Sequence, residues 1–530
     1  METFAVGAEN QPPPLVGHDL FSGNTPLVEG LRRLAPWAEE RARALGVALG
    51  GEPLEWGRLA NEHPPILRTH DRFGNRIDEV EFHPAWHAMM RLSVEHGLHA
   101  LPWREPQPGA HVARAVLMML AMQVEPGHGC PISMTFSALP ALRATPELAA
   151  EWEPMLTSLA YDPGLRPAHE KAGVLCGMAL TEKQGGSDVR QNTTTARPLG
   201  DGEYELTGHK WFCSAPMCDV FLVLAQVPGG LSCFALPRVL PDGTRNAFHL
   251  MRLKDKLGNR SNASAEIELG TLSSPGSGKP APGAWARLVG EEGRGVRTII
   301  EMVNHTRLDC VLGTTAMMRA AVEQATWHAA HRIAFGRLLA EQPLMQNVLA
   351  DLGVEAEAAT LTALRLAQAY DDPGQAPFRR IATAIAKYWI CKRGPAHAAE
   401  ALECVGGNGY VEESSLPRIY REQPLLSIWE GSGNVIALDV LRAIRKEPES
   451  LEAFLAELDD DLRPAVGDPD EADARRLVEQ LALALQGTLL RRHGDPAVAE
   501  AFFAREGAAY GTLPRGLDLA AVVERHTPRG

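Results

Sequence analysis

One carboxylate in this sequence is well suited to acid–base chemistry. Glu430 lies in the segment Ile428-Trp-Glu-Gly-Ser-Gly-Asn434, directly before a predicted helix over 435–444. A carboxylate in such apolar surroundings can act as a general base when burial raises its pKa. It can equally be a solvated charge that stabilises the start of the following helix. The residues alone leave both interpretations of Glu430 open.

Two glycine-rich segments could bring the backbone close to a bulky ligand. The first segment, Leu-Thr-Glu-Lys-Gln-Gly-Gly-Ser-Asp over 180–188, follows a predicted strand and could present N–H and hydroxyl groups to an anionic or heteroaromatic ligand. The second, Gly-Gly-Asn-Gly-Tyr over 406–410, lies between predicted helices. The alternatives are a plain β-turn for the first segment and a flexible helix–helix connection for the second.

Several well-known enzyme signatures are missing from the sequence. It contains no Gly-x-Gly-x-x-Gly after a strand, no P-loop, no His-Glu-x-x-His and no Gly-x-Ser-x-Gly. His328 and His331 share a predicted helix face, but no carboxylate stands at a matching spacing, so we predict no metal site. The eight cysteines form no Cys-x-x-Cys pair, and we interpret them as buried apolar residues of a reducing compartment.

The elements that must position these segments follow an α, β, α order. Apolar residues three or four apart predict helices from Thr25 to about Lys171. From Val174, short β-branched runs between Asp-Gly and Pro-Gly-Gly turns predict a small antiparallel β domain, and 273–283 is predicted to be a loop. Helical periodicity over 296–445 predicts a bundle of four or five long helices. We predict four domains: an N-terminal α domain with an extension (1–175), a middle β domain (176–287), a four-helix-bundle domain (288–446) and a separate, acidic helical domain (447–530).

Length and composition are those of a soluble globular protein with several domains. The chain has 530 residues, 45% of them hydrophobic and 22% charged, and its mean hydropathy is -0.15. A net charge of -14 gives no general attraction to nucleic acid or to anionic membranes. The longest apolar run is too short to span a bilayer, and the N-terminus lacks the features of a secretory signal. We therefore expect a cytoplasmic protein with no membrane partner.

In this combination and order, the three segments resemble the acyl-CoA dehydrogenase family. Two further segments match that family, His209-Lys-Trp-Phe-Cys-Ser214 and Arg332-x-x-Phe-Gly336, and the resemblance covers about 90–445. It implies a multidomain α+β fold with a helical N-terminal domain, a middle β domain and a C-terminal helical bundle, here with an added helical appendage. The long N-terminal segment and the acidic tail are most similar to the alkylation-response branch, whose members are linked to DNA protection, weak dehydrogenase activity and DNA binding.

The resemblance implies a role for each matching position. Glu430 would be the catalytic base, and Ser187 and Arg307 would contact an acyl-CoA substrate. The residues implied in FAD binding are Leu180, Thr181, Gly186, Ser187, Trp211, Phe212, Ser214, Arg332, Phe335, Gly406, Gly407, Trp429, Ser432 and Asn434. Because Arg332 and Phe335 would reach the FAD of a neighbouring subunit, a homotetramer built as a dimer of dimers is expected.

Four positions depart from the family pattern. Glu403 and Asn304 replace a Gln and an Asp, Trp429 replaces the Tyr before the catalytic Glu, and the Gln after Phe-Gly is displaced to Gln342. These departures concern acyl-CoA turnover more than FAD binding.

Two hypotheses for the function follow. The first is an FAD-dependent enzyme that removes a proton and a hydride from adjacent carbons of an acyl thioester or a related small molecule, in the response to DNA alkylation. The second is a protective flavoprotein that binds double-stranded DNA weakly, with FAD partly structural and catalysis residual. DNA contacts would come from Arg442, Arg445 and Lys446, or from the loop basic residues Arg252 to Arg260, although such clusters can also be plain solvated faces.

Overall fold

A computed structural model describes residues 10–270, 282–467 and 469–529. Its N-terminal part is helical, and two helices form its centre: in one, Ala110–Val124, every residue is buried, and in the other, Gly129–Leu142, all but one are. Helices that are apolar on all sides belong in the middle of a domain. In chain order the helices are α1 (Thr25–Leu34), α2 (Glu39–Leu49), α3 (Pro53–Glu62), α4 (Pro84–Glu95), α5 (Leu101–Arg104), α6 (Ala110–Val124), α7 (Gly129–Leu142) and α8 (Pro146–Leu156).

A β-hairpin interrupts the block that the sequence predicts as mostly helical. Its strands, β1 (Ile66–His70) and β2 (Arg76–Glu81), pair antiparallel around an Asp-Arg-Phe-Gly-Asn turn. Most of their side chains are exposed or half-buried, so the strands carry no apolar face that periodicity would detect.

The middle part is a β-sheet that closes on itself, because one edge strand, Ala284–Val289, pairs with two others. The pairing is antiparallel except where Cys176–Ala179 runs parallel to Val220–Val227 and at one further parallel contact. The strands are β3 (Cys176–Ala179), β4 (Thr195–Gly200), β5 (Glu203–Ser214), β6 (Val220–Val227), β7 (Gly230–Pro237), β8 (Phe248–Leu253), β9 (Ser264–Leu269) and β10 (Ala284–Val289). The predicted loop over 273–283 lies outside the described residues except for its last two positions.

A bundle of long helices follows the sheet. Its longest member, Gly295–His331, packs on most of the other bundle helices and on both central helices of the N-terminal part. A buried ion pair between Arg114 on α6 and Asp309 fixes that packing, with Nη2 2.7 Å from Oδ2. The elements are α9 (Gly295–His331), a small hairpin of β11 (Ile333–Ala334) and β12 (Arg337–Leu338), α10 (Pro343–Asp371), α11 (Ala376–Cys404), α12 (Gly407–Tyr410), α13 (Leu416–Ile428) and α14 (Gly433–Lys446).

The acidic tail is helical, as predicted, and it packs on the bundle. Arg505 pairs with Asp351 and contacts Glu355, and Arg525 pairs with Glu357 at 2.8 Å, so buried carboxylates of α10 hold the tail. Its helices are α15 (Pro448–Glu457), α16 (Ala474–His493), α17 (Pro496–Ala504) and α18 (Leu519–His526). The predicted α+β fold class is therefore confirmed, while the four domain limits stay predictions.

Candidate functional site

Glu430 lies in the tight turn that joins α13 to α14. Its φ of 57° is left-handed, and Gly431 after it has a φ of 104°. A non-glycine residue in this region is strained and needs support from its surroundings. Arg307 on α9 supplies part of that support, since its Nε donates to the Glu430 carbonyl oxygen at 3.0 Å. Asp439 on α14 orients the same guanidinium, with Oδ2 2.8 Å from Nη1.

The Glu430 carboxyl group is held by α9. Thr306 donates its hydroxyl to Glu430 Oε2 at 2.7 Å. Burial raises the pKa of Glu430, and this effect exceeds the opposing effects of the Thr306 hydrogen bond and of the nearby charges on Arg307 and Lys387. The carboxyl group therefore holds a proton more tightly than a free glutamate, which is the property that a general base near neutral pH requires.

The end of β5 reaches the surroundings of Glu430 through Cys130 on α7. The thiol of Cys130 is buried, and burial raises its pKa to about 12 although hydrogen bonds from Asn262 and Ser214 act in the opposite direction. Glu430 contributes to the same shift through its charge. Ser214 and Glu430, which are more than 200 positions apart in the sequence, therefore both lie near the same buried thiol.

The glycine-rich loop after β3 packs against β5. The Trp211 amide donates to the Thr181 carbonyl oxygen at 2.8 Å, and a side chain at Gly186 would collide with Thr181. Trp211 is half-buried, and the ammonium group of Lys254 lies 3.3 Å from the centre of its ring. The loop is positioned by Glu182, whose buried carboxylate accepts hydrogen bonds from Thr194 and, at 2.7 Å, from Lys210, and these partners depress its pKa to about 2.

The other residues implied in this part of the site are also placed. Leu180 is fixed by the Asn192 amide, which donates to its carbonyl oxygen at 2.8 Å. Ser187 and Phe212 are exposed. Ser432 and Asn434 are exposed at the start of α14, whose first residue, Gly433, lies two positions before the predicted start.

A cavity of about 670 Å³ lies beside this turn, between the sheet, α9, α11 and α14. Arg307 links the two, because it lines the cavity and also binds the Glu430 backbone. Asn304, the replacement for the family's Asp, lines it as well. The charged lining consists of six arginines and two carboxylates: Arg190, Arg294, Arg297, Arg307, Arg380, Arg442, Asp439 and Glu447. In a chain of net charge -14, this is a local concentration of positive charge suited to a polyanion.

A second group of predicted residues lies far from Glu430 in the same subunit. Arg332 follows α9 and is 25 positions after Arg307, which corresponds to about 37 Å along the helix at 1.5 Å per residue. Phe335, at the tip of the β11–β12 hairpin, is 97% exposed with a φ of 52°. Gly406 and Gly407, beyond the end of α11, have open space where a side chain would be. One subunit therefore does not bring these residues to its own Glu430.

The N-terminal segment forms hydrogen bonds with this second group of residues. The sequence did not predict these contacts. The Asn10 side chain accepts from the Ile333 amide at 2.7 Å and donates to the Ile333 carbonyl oxygen at 2.8 Å, as a neighbouring strand would. Arg332 donates to the Asn10 carbonyl oxygen at 2.5 Å. Asn408, in the glycine turn, donates to Gln11 at 3.1 Å.

The basic residues suggested for DNA contact differ in their exposure and in whether they already form hydrogen bonds or ion pairs. Arg442 is exposed and lines the cavity, and Lys446 is exposed at the end of α14. Arg445 donates to the Pro469 carbonyl oxygen at 2.6 Å. In the other cluster, Arg252 and Lys254 both pair with Glu266 at 2.6 Å, so a carboxylate offsets much of that charge.

Models of three protein domains match most of the chain. The N-terminal domain of the adaptive response protein AidB matches residues 10–163, and the middle and C-terminal domains of acyl-CoA dehydrogenases match 177–271 and 293–445. The Escherichia coli (strain K12) protein named "Putative acyl-CoA dehydrogenase AidB" is 46% identical over 93% of each chain. The chain belongs to the acyl-CoA dehydrogenase family. The predicted resemblance to the alkylation-response branch of that family is confirmed by the same matches.

Other proteins that this acyl-CoA dehydrogenase family member resembles support the same assignment. Acyl-CoA dehydrogenase family member 11 of Caenorhabditis elegans is 30% identical, with 82% of this chain and 72% of that protein covered. The crystal structure of Caenorhabditis elegans ACDH-11 in complex with C11-CoA superimposes with a TM-score of 0.81 and 25% identity, covering 98% of this chain and 93% of that one. Butyryl-CoA dehydrogenase from Megasphaera elsdenii, 18% identical with a TM-score of 0.59, shares the fold.

Neither a membrane-spanning helix nor a cluster of metal ligands occurs among the described residues. No helix in that part of the chain combines the length and the apolar character that a membrane span needs. Nor do the described residues contain a group of three or more His, Cys, Asp or Glu side chains that could hold a metal ion. His331 instead uses Nδ1 to contact the Trp327 carbonyl oxygen at 2.8 Å, and His328 is buried.

Proposed function

We propose that this family member is an FAD-dependent dehydrogenase that acts on an acyl thioester of coenzyme A. The observation that carries the proposal is Glu430, a carboxyl group with a raised pKa beside an arginine-rich cavity. The thioester carbonyl weakens the bond to the α-proton, and a desolvated carboxylate is a stronger base than one in water. Glu430 would accept that proton on its carboxylate, while Arg307 and Thr306 hold the backbone and the side chain in place.

The residues of the chain fit FAD. The buried Trp429 Nε1 has no hydrogen-bond partner among the described residues, and a buried N–H without an acceptor is costly. Trp211 offers a half-exposed indole ring, one face of which carries the Lys254 ammonium group, and Gly406 and Gly407 leave room for close approach to the backbone. FAD, when bound by these residues, would supply the acceptor for the hydride that leaves the β-carbon.

The cavity favours coenzyme A as the carrier of the acyl group. Its volume of about 670 Å³ lies in the usual range for small-molecule sites. Two of the six arginines in its lining, Arg307 and Arg380, pair with Asp439, and Arg380 also pairs with Glu447. The lining still carries four more arginines than carboxylates, which gives it a net positive charge for phosphate oxygens. A DNA duplex is too wide to enter a cavity of this size. C11-CoA is bound by the related ACDH-11, which supports the same ligand class here.

The test is a visible spectrum of the purified protein, followed by anaerobic mixing with a panel of short straight and branched acyl-CoAs. We expect flavin absorbance that at least one acyl-CoA bleaches, and little bleaching in the Glu430→Gln variant at equal flavin content. Glu449→Gln, an exposed glutamate at the start of α15, is the matched control and should bleach like the unaltered protein. Equal bleaching of Glu430→Gln and the unaltered protein would remove Glu430 as the base. A colourless protein that takes up no added FAD would exclude the flavoprotein proposal.

We also propose a homotetramer in which two subunits share each FAD site. Arg332 and Phe335 are about 37 Å along α9 from the Glu430 site of their own subunit, so they can serve FAD only across an interface. The strained, fully exposed Phe335 is consistent with a residue that a partner covers. Light scattering combined with flavin absorbance should find FAD in tetramers, and a monomer with full flavin content would contradict the shared site.

A role in the response to DNA alkylation is the second candidate function. The observation that favours it is the match of residues 10–163 to the N-terminal domain of an adaptive response protein. Contact with DNA would then involve exposed cations such as Arg442, which is exposed to solvent although it also lines the cavity. Duplex binding by the Arg442→Glu variant at two salt concentrations tests this contact.

A further inference from the structure

Lys387 is a buried cation directly beneath the turn that carries Glu430. It lies on α11 and is 1% exposed. Its ammonium group donates to the carbonyl oxygens of Trp429 at 2.9 Å, of Ser427 at 3.4 Å and of Gly431. An ammonium group has three N–H donors, so each can have an acceptor here.

All of these acceptors are neutral. No carboxylate of the described residues forms an ion pair with Lys387. A buried charge is costly unless it is paired, and a methionine of similar length would fill the same space without that cost. Packing alone therefore does not explain why a lysine occupies position 387.

The geometry of the turn provides that reason. The carbonyl groups of Trp429 and Gly431, on either side of Glu430, both point to Lys387, and the carbonyl group of Glu430 itself points to Arg307. Three successive carbonyl groups thus face two cations, which come from two different helices. This arrangement holds Glu430 in its left-handed conformation, which a glutamate in a free loop would leave.

The charge of Lys387 also acts on the Glu430 carboxyl group. The groups that influence this carboxyl are Thr306, Arg307 and Lys387, all of which lower its pKa, against the effect of burial. The thiols of Cys130 on α7 and Cys310 on α9 are also near enough to Glu430 to be affected by its charge, but burial raises the pKa of both, so both are neutral at physiological pH. Lys387 and Arg307 are therefore the two cations that favour the carboxylate form.

We propose that Lys387 is a positioning residue for Glu430, which fixes the shape of the turn and favours the carboxylate form of that side chain. This inference rests on the proposed role of Glu430 as the base. A merely structural lysine would support the turn but would not govern the protonation of its neighbour.

The experiment compares the FAD-loaded full chain with its Lys387→Met variant. The infrared band of the protonated Glu430 carboxyl, identified by its loss in Glu430→Gln, is followed as the pH is changed. We expect the midpoint to rise by about one pH unit in Lys387→Met, because a nearby opposite charge shifts a carboxyl pKa by about 1–3 units. At a pH below the midpoint of the unaltered protein, the rate of anaerobic flavin bleaching by butyryl-CoA should fall about tenfold in Lys387→Met and recover at higher pH, and Lys387→Arg should restore much of the rate.

Two further variants separate this effect from a general loss of stability. Arg393→Met removes a half-buried cation from the same helix, one that pairs with Glu355, and should lower stability without moving the Glu430 midpoint. If Lys387→Met does not fold, Lys387→Gln retains hydrogen-bond donors without the charge and should still raise the midpoint. An unchanged midpoint in the folded Lys387 variants would overturn the proposal. If butyryl-CoA bleaches no variant, the proposed function loses support, while the infrared titration still decides the role of Lys387.

Discussion

Replacing Thr306 with valine removes one hydroxyl beside Glu430 and changes almost no volume. The hydroxyl donates to Glu430 Oε2 at 2.7 Å and also lies 3.0 Å from the Val303 carbonyl oxygen. It has one proton, so it can serve only one acceptor at a time. When Glu430 is ionised, the carboxylate is the stronger acceptor, and when Glu430 is protonated the hydroxyl can turn to Val303.

The size of the effect follows from that choice. A hydrogen bond to a charged group contributes about 1.5–3 kcal/mol, and one pKa unit corresponds to about 1.4 kcal/mol. When Glu430 is protonated, the Thr306 hydroxyl can instead donate to the Val303 carbonyl oxygen, which reduces the difference in energy between the two states. We therefore take the lower end of this energy range, and the pKa of Glu430 should rise by about one unit in Thr306→Val. The sign is upward, since the lost hydrogen bond stabilises the ionised form. Bleaching of the flavin by an acyl-CoA should then slow about tenfold on the acidic side of the profile and remain unchanged at high pH.

The assay is the rate of anaerobic bleaching across pH for the unaltered protein, Thr306→Val and Thr306→Ser. Serine retains the hydroxyl and should give the original midpoint. Profiles of Thr306→Val and Thr306→Ser with the same midpoint would refute the reasoning, because the hydroxyl would then not distinguish the two states of Glu430.

Four other predictions concern the cofactor, DNA, the tail and the buried carboxylate Glu355. Trp211→Ala should lower FAD occupancy measured by absorbance, whereas Phe73→Ala, at an exposed hairpin tip, should not. Arg442→Glu should weaken binding of a labelled duplex, which we expect to be weak and to collapse as salt rises; equal, salt-insensitive binding would exclude this contact. Arg505→Met should lower the free energy of unfolding by about 3–5 kcal/mol in denaturant titrations, because it leaves the carboxylates on α10 buried, and the exposed Arg476→Met should cause no measurable change. The stability that Glu355 contributes should be present above about pH 4.5 and be lost as the pH falls towards its folded pKa of about 2.

Local patterns in the sequence predict the α, β, α order and the segments of the site. The long helices repeat apolar residues every three or four positions, and the strands are separated by strong turn signals. The β1–β2 hairpin is not detected by periodicity because its exposed, charged strands lack an apolar face. The parallel pairing of β3 with β6 is likewise a matter of tertiary arrangement.

Contacts between distant residues account for the rest of what the sequence did not predict. Asp351 and Arg505 are 154 positions apart, and in the sequence each looks like an ordinary helix or surface charge. Lys387 resembles any lysine within a helix until the carbonyl groups of the turn are found around it. Periodicity reports which face of a helix is buried, but not which charged group from another element meets it.

Glu430 can be interpreted as a general base or as a charge that stabilises the start of α14. The two interpretations predict opposite shifts of its pKa, so the structure can distinguish between them. A carboxylate that only stabilises the start of α14 would interact with the positive end of the helix, and its pKa would fall. The pKa of Glu430 is instead raised, because desolvation exceeds the effects of Thr306, Arg307 and Lys387 together. In addition, a charge in water needs no strained backbone, whereas Glu430 has a φ of 57° that two buried cations support. Both features cost stability, and a helix-start charge requires neither. The arrangement therefore favours a carboxylate whose position and protonation serve chemistry.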